Sequence, residues 1–203
     1  MSIFKPALVA SAGLLALTLC PQAQANPWKI DTAHSSADFA VRHLMISNVK
    51  GHFSKVDGTI DYDGKNIKGL KVDSQIDIAS VDTGDKGRDE HLKSADFFDA
   101  AKFPQMTFKS KKVKSAGKGK FVLTGDLTIK GITQPITFRA TADAKSASAE
   151  IKVDRTKYGI KYGSGSFFDN LGDKAIDNDF VLNVSLVTEA APKAAVTTPT
   201  KNT

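Results

Sequence analysis

Apolar and polar residues alternate with a period of two along most of the chain, the pattern of strands with one buried and one solvated face. Ala37, Phe39 and Val41 alternate with Ser36, Asp38 and the less polar Ala40. The same rhythm runs through 70–78, 121–129, 132–142, 147–153 and 180–186. Met106 and Phe108 mark a further strand, and residues 58–63 a weaker one. Asp63-Gly64 and Lys130-Gly131 read as two-residue hairpin turns, and Gly117-Lys118-Gly119 as a looser loop. Seven to nine short strands joined in this way predict an all-β antiparallel barrel or sandwich, and the alternation alone does not separate the two.

One segment departs from the rhythm. Between 88 and 104, Arg88, Leu92, Ala95 and Phe98 recur at helical spacing. Ser94 can cap a second turn, with Asp96 near its N-terminus, and Pro104 ends it. One or two short helices are therefore expected within 88–102, lying across a barrel end or rim.

Composition adds a compartment. Lys5, the apolar stretch 7–19 and Ala23-Gln24-Ala25 predict a signal peptide over 1–25, cleaved after Ala25, and hence a periplasmic protein. The single cysteine, Cys20, falls inside that segment, and the bulky Leu19 before it argues against lipid acylation. After Thr188 the chain turns to Ala, Thr, Pro and Lys, so 189–203 reads as a disordered tail and 26–188 as the folded unit.

Catalytic chemistry finds no footing in the pattern. His34, His43, His52 and His91 show no metal-ligand spacing, so no metal is expected. Ser164, within Gly163-Ser164-Gly165-Ser166, is assigned to a flexible loop rather than a nucleophile elbow. Lys109, Lys111, Lys112, Lys114, Lys118 and Lys120 crowd one hairpin. A solvated edge guarded against aggregation is the default for such a row. The sharper reading is transient contact with an anionic membrane surface, at ~1 kcal/mol per near-surface lysine. Nucleic acid is not expected, because secretion removes it from reach and no aromatics interleave the lysines. An edge strand or the barrel mouth leaves a homodimer open.

Particular strings carry more. WKIDTAHSSADF (28–39) is followed by VRHLMISNVKGHFSKVDG (41–58), RDEHLKSADFFD (88–99), FPQMTFKS (103–110), GDLTIKGITQPITF (125–138) and RTKYGI (155–160). In this order and spacing the chain resembles the YceI-like family of bacterial periplasmic proteins over nearly all of 27–188. Tyr158 stands where Phe is common. The resemblance implies an extended, lipocalin-like antiparallel barrel of about eight strands. It also implies binding of a polyisoprenoid or similar long-chain amphiphile, such as a prenyl phosphate, an isoprenoid quinone or a fatty-acid derivative, with no cofactor and no catalysis. The alternative is a structural or stress-response module whose barrel is filled.

If the barrel is hollow, its lining is expected from Phe39, Val41, Ile78, Phe108 and Leu123, together with Leu127, Ile129, Phe138, Ile151 and Leu182. Leu44, Met45 and Phe53 would shape one loop, and Leu92, Phe97, Phe98 and Phe103 a helical lid. His43, Arg88 and His91 are the head-group candidates, Arg88 because its guanidinium can fork onto a phosphate or quinone oxygen.

Overall fold

The computed structural model describes residues 28–43, 47–61, 67–143, 145–172 and 175–189. The expected signal peptide, Leu44, Met45, the Asp63-Gly64 turn and all of the expected tail beyond Glu189 lie outside the described residues. Eleven strand segments form: β1 (Trp28–Lys29), β2 (Ser36–His43), β3 (Ser47–Phe53), β4 (Val56–Asp61), β5 (Lys71–Asp77), β6 (Val81–Asp82), β7 (Gln105–Gly117), β8 (Lys120–Ile129), β9 (Ile132–Ala142), β10 (Ser146–Asp154) and β11 (Ile176–Val187). They make one sheet of order β1-β4-β5-β7-β8-β9-β10-β11-β2-β3-β6, and each pairing is antiparallel.

Eleven segments replace the expected eight because three long paths are each broken once. β1 and β2 lie along neighbouring stretches of β11, since Ile30 bridges Thr188 and Ser36 pairs with Ser185. β3 and β4 are parted only by Ser54-Lys55, and β5 and β6 by the 3-10 turn Ile78–Ser80. The last two breaks face each other: Ser54 N–H donates to the Ser80 carbonyl (3.3 Å) and Asp77 N–H to the Lys55 carbonyl (3.0 Å). Joined across their breaks, the segments are eight paths. The sheet curls until Ile30, bonded to the Gly58 carbonyl on one side (3.0 Å), meets the end of β11 on the other. A curled antiparallel barrel results, as the resemblance implies, and it decides between the barrel and the sandwich that the alternation left open.

The barrel has two unlike ends. At one lie the β7–β8 turn, the β9–β10 turn and the end of β11, level through the Lys120–Thr141 and Ser146–Val187 pairs. At the other lie the β8–β9 turn at Lys130-Gly131 and α1 (Lys86–Lys93). α1 starts two residues before the expected helix, because Asp85 caps it by accepting the Arg88 N–H at 3.0 Å. No second helix follows. Residues 94–103 make successive turns, with Phe98 N–H on the Leu92 carbonyl (3.0 Å) and Phe103 N–H on the Asp99 carbonyl (2.9 Å).

The core fills the α1 end. Phe53, Ile78, Ile129 and Ile160 are fully buried there. Phe98 meets Phe53 edge-on at 5.9 Å, and Phe53 lies 5.4 Å from Phe39. Gly58 sits in β4 at φ +143°, where a β-carbon would overlap the Asp73 carbonyl oxygen on β5. Gly58→Ala is therefore expected to destabilise the barrel by about 2 kcal/mol, read as a lowered urea midpoint.

Candidate functional site

Toward the other end the interior opens into a narrow tunnel of about 100 Å³. Six of the expected lining residues face it: Phe108, Leu123, Leu127, Phe138, Ile151 and Leu182. Phe108 and Phe138 pack edge to face at 5.1 Å. Ser74, Thr107 and Ser148 are the polar members of the wall, and no charged residue belongs to it among the described residues. Space exists there because the inner faces of β9 and β10 carry alanines. Ala140 pairs with Ala149 across the two strands, and Ala147 lines the same stretch. These alanines were not among the expected site residues.

A second cavity, of about 720 Å³, lies between β2, β3, α1 and the loop that follows β10. His43, Arg88 and His91, the three polar candidates, meet here with Phe39, Val41, Leu92 and Phe97. Lys50 and Tyr162 join them, both unexpected, and no carboxylate lines this groove among the described residues. The His91 ring stands nearly perpendicular to Phe97 (5.0 Å) and Tyr162 (4.8 Å). Its Nε2 lies 3.2 Å from Asp96 Oδ2. Arg88 Nη2 donates to Asp85 at 3.3 Å. The backbone N–H of Arg88, and then its side chain, hold the Asp85 carboxyl below the usual carboxylate range. Phe39 of the groove and Leu182 of the tunnel are direct partners on β2 and β11, so the two spaces adjoin along those strands.

Five expected ligand contacts face neither space. Ile78 leaves the strand alternation because Asp77 caps the 3-10 turn through the Ala79 N–H (2.9 Å), which turns Ile78 into the filled end. Phe53 is core rather than loop, and Ile129 is fully buried in the same core. Phe98 is a plug against Phe53. Phe103 packs over Gly131, with a ring carbon 2.5 Å from where a β-carbon would stand. Of the expected lid, Leu92 and Phe97 alone reach the groove.

The loop after β10 is held by a buried arginine that the sequence reading passed over. Arg155 Nε donates to the Asp177 carbonyl (2.9 Å), Nη1 to those of Ile160 (3.0 Å) and Tyr162 (2.8 Å), and Nη2 to that of Ile176 (2.9 Å). Burial pushes its pKa down, opposed by the carboxylates of Asp154 and Asp177. Tyr158 is buried beside it in sequence, and burial pushes its phenol up to about 12. Ser164 is fully buried, with Oγ donating to Asn178 Oδ1 at 2.6 Å, which corrects its assignment to a flexible loop. Among the described residues no three His, Cys, Asp or Glu side chains converge as metal ligands would.

Comparison with known proteins supplies relatives for this architecture. Residues 28–188 match the family described as a YceI-like domain. A UPF0312 protein of Vibrio parahaemolyticus is 44% identical over 138 residues, 67% of this chain and 73% of that one. Among solved structures, BcnA of Burkholderia cenocepacia superposes with a TM-score of 0.69 at 26% identity, over 79% of this chain and 99% of its own. The YceI protein of Campylobacter jejuni gives 0.61 at 34% identity, over 73% and 90%. A polyisoprenoid-binding domain of Saccharophagus degradans gives 0.62 at 17% identity, over 80% and 98%, a likeness of fold.

Proposed function

We propose that this chain, which belongs to the YceI-like family, is a carrier that encloses the hydrocarbon chain of a polyisoprenoid or similar long-chain amphiphile. The observation that carries the reading is the tunnel: uncharged, walled by Phe108, Leu127, Phe138 and Leu182, and left open by alanines on β9 and β10. Its narrowness suits one extended chain rather than a ring system. The groove offers the head group His43, Lys50, Arg88 and His91, with no acid in its wall among the described residues. The naming of the Saccharophagus degradans domain as polyisoprenoid-binding supports the ligand class.

The proposed role is binding without chemistry. His91 is edge-packed by two aromatic rings and partnered by Asp96, an arrangement that orients an imidazole but gives it no substrate bond to act on. The proposed place of action is the periplasm, on the strength of the signal-like segment 1–25. Each carbon of the chain taken into the tunnel gains roughly 0.8 kcal/mol relative to water. Ordering the chain offsets much of that, and the bilayer is an equally apolar rival. The net preference is small, which suits exchange with a membrane rather than permanent storage.

Native mass spectrometry of the protein purified without detergent tests the reading. A stoichiometric prenyl or long-chain adduct that disappears on organic extraction is expected. Bare protein that also takes up no added prenyl lipid would return the barrel to a structural role.

A further inference from the structure

All the large hydrophobic side chains that stand exposed among the described residues gather at one end of the barrel. They are Ile132, 39% exposed, Tyr162, 44%, Phe167, 48%, and Phe168, 49%. Ile132 opens β9 within reach of Gly159, and the other three lie on the β10–β11 loop. This is the end where the groove lies, and Tyr162 belongs to both loop and groove wall. At the far end the β7–β8 turn presents lysines instead.

The loop is built to hold these rings outward. Arg155 ties the carbonyls of Ile160 and Tyr162 on its first limb to those of Ile176 and Asp177 on its return. The buried Ser164 is fixed to Asn178, whose Nδ2 donates to Ser166 Oγ at 2.8 Å. The N–H groups of Phe167 and Phe168 both donate to the Ser164 carbonyl at 3.1 Å. Rings on so fixed a support lose little conformational freedom on docking. Tyr162 also packs on His91 and Phe97 in the groove wall, whereas the Phe167 ring faces the Lys161 ammonium.

Their area decides the class of partner. With about 150–250 Å² per aromatic side chain, three half-exposed rings offer roughly 300 Å². A stable protein interface takes ~800 Å² from each side. A bilayer requires no such area, because aromatic rings partition singly into the head-group boundary. The Lys161 ammonium, 4.6 Å from the Phe167 ring centre, can follow the ring inward while its charge stays at phosphate level.

We infer that the loop bearing Tyr162, Phe167 and Phe168 is a docking wedge that seats the groove end of the barrel on a phospholipid bilayer. The inference draws its purpose from the carrier reading, but its test contains no prenyl lipid, so the two can fail separately. Full-length protein is floated with vesicles of equimolar phosphatidylcholine and phosphatidylglycerol. Wild type should float, and the double variant Phe167→Ser, Phe168→Ser should lose association by more than about tenfold while its melting curve stays unchanged, because both rings are already half exposed. Phe167→Trp, made with Trp28→Phe to silence the one native tryptophan, should shift its emission to the blue on adding vesicles. Absence of wild-type flotation would overturn the wedge. So would retained flotation of the double serine variant, or loss of flotation in a protein with Lys112, Lys114, Lys118 and Lys120 changed to Gln, which would assign docking to the opposite end.

Discussion

Arg155→Met is expected to destabilise the protein by about 4 kcal/mol and to free the β10–β11 loop. Methionine keeps the length and the apolar stem but removes every donor. Four carbonyls that now share one planar group, those of Ile160, Tyr162, Ile176 and Asp177, would lose their partner together. Each buried acceptor left unpaired costs roughly 1–3 kcal/mol. The sum is not reached, because methionine also removes a charge whose burial already lowers the guanidinium's pKa, and water can reach part of an opened loop. Lysine should rescue little, since a point donor cannot span carbonyls on both limbs as the planar fork does. Urea unfolding measures the loss, and limited proteolysis locates it. Cleavage confined to 159–175 ahead of global unfolding is the expected pattern. A loss below about 1 kcal/mol would mean that the four bonds are replaced by water at no cost, and the loop would not be the rigid support described above.

The strand pattern was legible because inside and outside alternate residue by residue, and β8 to β11 follow their alternation almost from end to end. The breaks were not. At Ile78 the alternation continues in the sequence, yet the chain turns, because a capping bond from Asp77 outweighs one more step of strand. Apolar character likewise located the interior without saying which part is full. Phe53 and Phe138 both sit on inward faces, yet Phe53 meets Phe39 and Phe98, whereas Phe138 stands in the tunnel wall. What separates them is the size of their neighbours, and alanine at 140, 142, 147 and 149 was a readable sign of space. Arg155 left no such sign. Its partners are carbonyls, which every residue carries, so a buried arginine within RTKYGI reads like a solvated one. The polar groove was anticipated through His43, Arg88 and His91, but Lys50 and Tyr162 arrive from elements whose approach only the curled sheet and the pinned loop produce.

Leucine at both Ala140 and Ala149 should empty the barrel of lipid without weakening it. The two alanines are direct partners on β9 and β10, half-buried, and each faces the tunnel. Leucine adds an isopropyl group to each alanine methyl, into a space of about 100 Å³ that holds no side chain. Lipid retained by the double variant should fall more than about tenfold, which corresponds to about 1.4 kcal/mol of lost binding. Thr141→Leu, which places the same side chain on the outer face of the same strand, should leave retention unchanged. Stability provides an independent reading of the same substitutions. In an open tunnel the new methyl groups bury apolar surface at ~0.8 kcal/mol per carbon, and the melting temperature holds or rises. In a barrel already filled they would overpack the core at roughly 1–3 kcal/mol, and it would fall. A fall in melting temperature therefore argues for a structural barrel whatever the lipid assay shows. An unchanged melt with lipid still retained would move the ligand out of the tunnel and into the groove beside Arg88 and His91.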